Sequence, residues 1–151
     1  MYVYGTNDSQ QYEAAAKADN NYSKIKTLNC YSSADMVNWT DHGTIAVSGS
    51  KGAAKWSANS WAPAVCHKKI NGKEKFFLYF ANNASSIGVL TADSPTGPWT
   101  DPIGKPIIDR SITGCAESEI GWLFDPAVLV DDDGTGYLYF GGIGTVSYTH
   151  L

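Results

Sequence analysis

The sequence lacks the features that mark three large classes of protein. It has no apolar run of the ~20 residues that a membrane-spanning helix needs. It also has no cluster of Lys and Arg, and its net charge of -4 argues against nucleic acid or an anionic membrane surface as a partner. Its three cysteines, Cys30, Cys66 and Cys115, are widely spaced and odd in number, so neither a disulfide framework nor a zinc motif can be drawn from them. We predict that they are buried small hydrophobic residues.

Aromatic residues, by contrast, are abundant, and they recur with a fixed period. They make up 13% of the sequence, more than packing alone requires. The alternating run that ends near Tyr79 recurs around Tyr139, and the Trp-Thr-Asp run at Trp39 recurs at Trp99, each after 60 residues. The run Trp61-Ala-Pro-Ala-Val recurs as Phe124-Asp-Pro-Ala-Val after 63 residues. Three landmarks in the same order therefore indicate one structural repeat.

Each repeat reads as four short antiparallel strands separated by turn residues. In the complete repeat we predict strands at 63–67, 75–81 and 87–92, and a fourth from Trp99 onward, with a hairpin turn at Asn71-Gly72. Four strands per repeat are typical of a blade of an all-β propeller, of which about two blades are present. The first repeat carries about 15 extra residues between Asn7 and Leu28. Within this insert the Glu13–Lys17 pair has helical spacing, but the run is too short for a stable helix and is interpreted as a loop.

One carboxylate distinguishes the third repeat from the second. Asp125 precedes Pro126 at the position where Ala62 precedes Pro63. Since the innermost strand of a blade begins near the central axis, this position lies at the mouth of the propeller. Asp125 has apolar neighbours, so it is either placed for chemistry or caps the turn before proline, and the sequence leaves both readings open.

Three runs of the sequence resemble glycoside hydrolase family 43. They are Asn59 to Pro63, Ile87 to Trp99, and Leu123 to Tyr139. The resemblance implies a five-bladed propeller that cleaves arabinose- or xylose-containing plant polysaccharides, chiefly as an α-L-arabinofuranosidase or β-xylosidase. It covers residues 1–145, which we assign to a partial catalytic domain. Residues 146–151 continue no earlier pattern and are predicted to be a non-native tail.

The resemblance also implies an inverting mechanism with three carboxylates. Asp125 matches the aspartate that sets the pKa and orientation of the catalytic acid, whereas the base is expected before Met1 and the acid beyond residue 145. Trp61 matches a tryptophan of the sugar pocket, and Phe124 is a second pocket candidate. An axial calcium or chloride ion is possible in this fold, and no other cofactor is expected. The implied partner is a plant polysaccharide, which favours a secreted or periplasmic location, although no signal region is recognisable.

Several alternatives remain at this point. Trp61 could instead pack between blades, as Trp39 and Trp99 are predicted to do. A non-catalytic carbohydrate-binding propeller would keep Trp61 without needing Asp125, and a fructan- or sucrose-cleaving propeller would act by retention. A protein-binding propeller of the Trp-Asp type has a repeat of about 40–45 residues and is disfavoured. The remaining acids are predicted to be solvated: Asp131, Asp132 and Asp133 in a hairpin turn, and Glu117 and Glu119 on a surface loop.

Overall fold

The computed structural model describes residues 1–14 and 21–142, and the backbone of residues 147–150. In these ranges the chain forms strands with one short helix. The elements are β1 (Tyr2–Thr6), α1 (Asp8–Ala14), β2 (Thr27–Ser32), β3 (Thr40–Ala46), β4 (Trp61–Ile70), β5 (Lys73–Asn82), β6 (Ser86–Ala92), β7 (Phe124–Val130), β8 (Gly136–Gly141) and β9 (Ser147–His150). No helix in the described part of the chain is long and apolar enough to cross a membrane.

The strands form three consecutive antiparallel sheets. The first sheet has the order β1-β2-β3, the second β4-β5-β6 and the third β7-β8-β9. The predicted turn at Asn71-Gly72 joins β4 to β5, and both residues have positive φ, 50° and 80°, as a two-residue hairpin turn requires. The three strands predicted in the complete repeat are therefore confirmed, with β4 and β5 longer than expected.

The second and third sheets share an irregularity at the same position. In β4 the pairing with β5 shifts register between Trp61 and Ala64, and in β7 the pairing with β8 shifts between Phe124 and Ala127. The repeat of Trp61-Ala-Pro as Phe124-Asp-Pro is thus a structural repeat, which confirms that Ala62 and Asp125 are equivalent. Such bulges bend a strand and re-aim its side chains.

The fourth strand of the second sheet is not continuous. The segment from Trp99 meets β6 only at two isolated bridges, Thr100 with Thr91 and Ile108 with Ile87. Pro102 and Pro106 fall in this segment, and Pro98 directly precedes it. Because proline has no N–H to donate, three prolines in nine residues prevent an uninterrupted ladder.

The hydrophobic core consists of two layers, one on each face of the second sheet. On β5, Leu78 and Phe80 pack towards the first sheet, whereas Tyr79 and Ala81 pack towards the third. Alternate side chains of a strand point to opposite faces, so a strand that is apolar at every position must be covered on both sides. Accordingly all of β6 is buried. This face-to-face stacking of consecutive sheets is the arrangement of neighbouring propeller blades.

Two predictions about tryptophan and helix were wrong in part. Trp99 packs between sheets, edge-on to Tyr4 with ring centroids 6.3 Å apart. Trp39, by contrast, is 44% exposed and belongs to neither core cluster of the described residues. In the insert, α1 forms where a loop was expected. It is stabilised by contacts outside the helix, including the Gln10 side-chain oxygen, which accepts hydrogen bonds from the Lys26 and Thr27 N–H groups at 2.6 and 3.1 Å.

Two further predictions fall on chain ends or undescribed residues. The Glu13–Lys17 pair lies outside the described residues, since the description stops at residue 14 and resumes at residue 21. Strand β9, which pairs with β8, is made of residues assigned to the tail. The domain boundary at residue 145 stays a prediction.

Candidate active site

Asp125 occupies an unusual backbone conformation at the start of β7. Its φ is 51°, and Ala62 in the equivalent position has a φ of 43°. Residues other than glycine rarely adopt positive φ, and Asp is among the few that tolerate it. The bulge and the left-handed turn before proline therefore define one backbone position that recurs in both sheets, which we call the mouth position. A carboxylate occupies it only in the third sheet.

The mouth positions open into a cavity of about 550 Å³. Its walls come from all three sheets and from the β1–β2 insert. They are formed by Thr6, Asp8, Tyr22, Trp61, Ala62, Ala84, Trp122, Phe124 and Asp125. The structure thus brings all three predicted site residues, Trp61, Phe124 and Asp125, to one cavity. Its volume is within the range of small-molecule pockets, roughly 300–1,000 Å³.

The carboxylate of Asp125 is not used to hold the structure together. In the described ranges it makes no hydrogen bond or ion pair, whereas the turn-capping carboxylate of Asp101 accepts the N–H groups of Ile103 and Gly104 at 3.0 and 2.8 Å. This geometry does not support the turn-capping alternative. Partial burial raises the pKa of Asp125, because desolvation disfavours the charged form. The carboxylate is nevertheless still in contact with solvent.

Two aromatic pairs form part of the cavity wall. Trp61 lies edge-on to Tyr22 with ring centroids 6.1 Å apart, and its indole N–H donates to the Tyr22 carbonyl at 3.1 Å. Phe124 lies edge-on to Trp122 at 5.4 Å. Trp61 and Phe124 both also contact the core between the second and third sheets, so for Trp61 packing and cavity lining are not exclusive. Flat aromatic faces suit the apolar faces of sugar rings.

The rim of the cavity is held by the only arginine in the sequence. The Arg110 guanidinium donates to four backbone carbonyls, those of Ala84, Cys115, Ile120 and Gly121, at 3.1, 3.3, 2.5 and 2.8 Å. Ala84 lines the cavity and Gly121 precedes Trp122, which also lines it. Arg110 thus links the loop before β7 to the turn between β5 and β6.

Sequence reasoning missed Asp8, Tyr22 and Trp122, which line the cavity, and Arg110. It also missed Asn59, a buried residue whose side-chain NH₂ group donates to the Tyr22 carbonyl at 3.3 Å. Arg110 carried a usable signal, since a single arginine among 11 basic residues is an outlier. Asn59 also carried one, because it begins the Asn-Ser-Trp-Ala-Pro run. No sequence pattern identifies Asp8 or Tyr22 as site residues, because they lie 53 and 39 residues before Trp61 in the chain.

The described side chains do not fit a metal ion. No group of three or more His, Cys, Asp or Glu residues lies close enough together in the described part of the chain. His67 pairs with Glu74 at 2.9 Å, and His42 contacts Ser32 at 2.7 Å. An axial calcium or chloride ion stays a prediction for which these residues provide no ligand set.

The other candidate acids are solvated, as predicted. Glu117 and Glu119 are exposed. The run from Asp131 to Asp133 forms the β7–β8 turn, closed by a hydrogen bond from the Gly134 N–H to the Asp131 carbonyl at 2.8 Å. The cysteines are free: Cys30 and Cys115 are buried as predicted, whereas Cys66 is only half-buried.

Aromatic rings beside an unpaired carboxylate at the mouth of a propeller are the groups that a carbohydrate-active site requires. Comparison with known proteins specifies the family. The model of glycosyl hydrolases family 43 matches residues 4–150, and the chain belongs to this family. The resemblance seen in the sequence is thereby confirmed.

Similar proteins are known from several bacteria. The chain is 56% identical to an arabinoxylan arabinofuranohydrolase of Paenibacillus polymyxa and 57% identical to one of Bacillus subtilis. Both matches cover 94% of the present chain. It spans only 23% and 29% of the lengths of these two relatives. A solved structure gives the same result: the crystal structure of a glycoside hydrolase family 43 arabinoxylan arabinofuranohydrolase from Bacillus subtilis in complex with cellotetraose. It superimposes on 93% of the present chain with a TM-score of 0.83 and 56% sequence identity. The match covers 30% of the Bacillus subtilis chain.

A second solved structure supports the fold at lower identity. An α-L-arabinofuranosidase from Clostridium thermocellum matches 99% of the chain with a TM-score of 0.74 and 38% identity, and 47% of that chain is covered. These likenesses agree with the all-β propeller reading, of which this chain supplies a part. They are what the chain resembles, and they do not assign its substrate.

Proposed function

We propose that the protein to which this chain belongs is an inverting glycoside hydrolase that removes arabinofuranosyl side chains from arabinoxylan. The two curated relatives with the highest identities given above support arabinofuranosyl over xylosyl release. The observation that carries the proposal is the mouth position of Asp125, where an unpaired carboxylate enters a cavity lined by Trp61 and Phe124. We expect a secreted or periplasmic enzyme, since its substrate is a plant polysaccharide.

In this proposal Asp125 acts on the reaction through its charge. An inverting glycosidase needs a base that activates water on one face of the sugar and an acid that protonates the leaving oxygen on the other. A carboxylate near that acid disfavours its ionised form and keeps it protonated near neutral pH. Asp125 can take this role because no described group neutralises it. Trp61 and Phe124 then provide apolar surface for the pentose ring.

The test is the substitution Asp125→Asn in the complete gene product. Asparagine keeps the size of the side chain and tolerates positive φ, so the backbone is retained while the charge is lost. We expect kcat on arabinoxylan to fall by about 10²–10⁴-fold, the usual contribution of acid catalysis, and the alkaline limb of the pH profile to move to lower pH. Asp131→Asn, on the exposed β7–β8 turn, is the matched control and should leave both unchanged.

Product analysis separates the proposal from its alternatives. Proton NMR of the first sugar released should show the inverted anomer, whereas a retaining fructan- or sucrose-type enzyme would release the retained one. A non-catalytic carbohydrate-binding propeller would bind arabinoxylan and release no sugar. If Asp125→Asn keeps full turnover, Asp125 has no part in the chemistry.

A further inference from the structure

A second cavity lies beside the β1–β2 insert, and it shares no wall residue with the cavity at the mouth positions. Its volume is about 330 Å³, at the lower end of the range of small-molecule pockets, roughly 300–1,000 Å³. We call it the lysine cavity. The described residues that line it come from the insert, the start of β2, the end of β3 and the loop after β3: Gln10, Lys26, Thr27, Ala46, Ser48, Gly49, Ser50, Lys51 and Gly52.

Helix α1 stands between the two cavities. Asp8 lines the cavity at the mouth positions, whereas Gln10 lines the lysine cavity. Residues two apart in an α-helix point in nearly opposite directions, because each residue turns the helix by about 100°. A helix with its side chains is about 10–12 Å wide, which sets the scale of the separation. The lysine cavity is therefore a separate space and not a part of the candidate active site.

The wall of the lysine cavity carries two positive charges and no negative one. Lys26 and Lys51 are its ionisable residues, and both are exposed to solvent. Neither ammonium group forms an ion pair with a carboxylate of the described residues. The chain as a whole has a net charge of -4, so two unpaired cations at one cavity are an exception on an acidic protein. Such a site attracts an anion.

Lys26 is held in place on both sides of its backbone and along its side chain. Its N–H donates to the Gln10 side-chain oxygen at 2.6 Å, and its carbonyl accepts the Ser48 N–H at 3.0 Å. Its side chain lies over Gly49, where an added Cβ would be 3.6 Å from the Lys26 Nζ. The absence of a side chain at Gly49 thus leaves room for the ammonium group of Lys26.

Lys51 lies in a closed turn. The Gly52 N–H donates to the Gly49 carbonyl at 2.9 Å, and the Gly49 N–H donates to the Ser57 carbonyl at 2.9 Å. Gly49 has a φ of 78°, a conformation that favours glycine. The backbone that carries Lys51 is therefore ordered without a ligand, which lowers the ordering cost of binding.

Neutral donors accompany the two cations. The Gln10 side-chain oxygen accepts the Lys26 and Thr27 N–H groups, so its NH₂ group is left to donate elsewhere. The Ser50 hydroxyl is exposed at the wall of the cavity. Ammonium groups form strong, charge-assisted hydrogen bonds with a carboxylate, and amide and hydroxyl groups pair with the hydroxyl groups of a sugar. The volume suits a carboxylate that is carried by a sugar ring better than a small inorganic anion.

We propose that the lysine cavity binds an acidic sugar, a uronic acid, through its carboxylate. Lys26 and Lys51 bind the carboxylate, while Gln10 and Ser50 bind hydroxyl groups of the ring. This site goes beyond the proposed function, because the uronic acid is bound and not cleaved and Asp125 takes no part.

The test is isothermal titration calorimetry of the complete gene product at low ionic strength with three probes: sodium glucuronate, glucose and sodium phosphate. Glucose has the ring without the carboxylate, and phosphate has negative charge without the ring. We expect glucuronate to bind at least about tenfold more tightly than glucose, as the loss of charge-assisted hydrogen bonds requires, and more tightly than phosphate. Absence of glucuronate binding, equal binding of glucose, or tighter binding of phosphate would overturn the proposal.

Substitutions locate the binding. Lys26→Gln and Lys51→Gln should each weaken glucuronate binding by about tenfold, because each removes a charged donor. Lys26→Arg keeps the charge and should retain most of the affinity. Lys55→Gln removes an exposed cation four residues after Lys51, outside the cavity wall, and is the matched control. An equal loss in Lys55→Gln would assign the binding to overall charge and contradict the lysine cavity.

Calorimetry keeps this proposal separate from the proposed function, because it measures binding whether or not sugar is released. A protein that binds glucuronate through Lys26 and Lys51 but cleaves no arabinoxylan supports the lysine cavity and contradicts the hydrolase. A protein that cleaves arabinoxylan but binds glucuronate no better than glucose contradicts the lysine cavity and leaves the hydrolase supported.

Discussion

Replacement of Arg110 should reveal how much one side chain stabilises the rim of the cavity. In Arg110→Met the chain keeps a long apolar side chain but loses five N–H donors. The carbonyls of Cys115 and Ile120 belong to residues that are 2% and 0% exposed, and each would lose its hydrogen bond from Arg110. The Ala84 carbonyl keeps a partner, because it also accepts the Leu123 N–H at 2.7 Å.

The magnitude follows from the two buried carbonyls. A buried acceptor left without a partner costs about 1–3 kcal/mol. Because Arg110 is itself only half-buried, water can reach part of this space, so we expect about 2–4 kcal/mol for Arg110→Met. Arg110→Lys keeps the charge, but its ammonium group cannot reproduce the planar fork, and about half of the loss should remain.

Urea unfolding followed by tryptophan fluorescence measures these differences. Lys105→Met removes an exposed cation from the neighbouring loop and is the matched control, expected within about 0.5 kcal/mol of wild type. If Arg110→Met also unfolds within that margin, the four hydrogen bonds do not hold the rim, and the reasoning is refuted.

Two further predictions concern packing and pH. Gly88→Ala would place a Cβ 2.4 Å from the Phe80 ring, and we expect a loss of about 1–3 kcal/mol in urea unfolding. A Cβ added at Gly5 meets no atom within 4 Å, so Gly5→Ala should leave the stability unchanged or raise it by up to about 1 kcal/mol. Equal changes in stability for Gly88→Ala and Gly5→Ala would argue against tight packing of Gly88 on Phe80. Burial raises the pKa of Asp125, because the folded chain favours the neutral carboxyl group. The contribution of this group to folding stability is therefore complete below the ordinary pKa of 3.8 and is lost as pH rises through the folded-state pKa. Asp125→Asn should therefore be more stable than wild type at pH 7, with the difference vanishing in acid; a less stable variant at pH 7 would contradict the burial.

The sequence predicts the repeated sheets and the mouth position because both depend on local signals. Alternating aromatic residues specify the strands, Asn71-Gly72 specifies the hairpin, and the proline after Asp125 marks the bulge. These signals lie within a few residues of the structure they produce, and the aromatic run and the proline both recur in the next repeat. Comparison of Ala62 with Asp125 then isolates the acid without any knowledge of the tertiary contacts.

The side walls of the cavity could not be predicted in the same way. The contact of Tyr22 with Trp61 joins residues 39 apart, and no periodicity links them. Trp39 and Trp99 share one motif, yet only Trp99 has a neighbouring sheet to pack against in the described part of the chain. Burial there depends on the neighbour, which local sequence does not encode.

The recurrence of the left-handed backbone at Ala62 and Asp125 has a consequence for how such sites evolve. The second and third sheets each carry this mouth position on the same cavity, with a backbone conformation that Asp and Asn tolerate. A new acid can therefore enter the ring by a change of one residue, with no remodelling of the strands that carry it. Chemistry in this architecture can be gained, lost or moved from blade to blade while the scaffold stays the same.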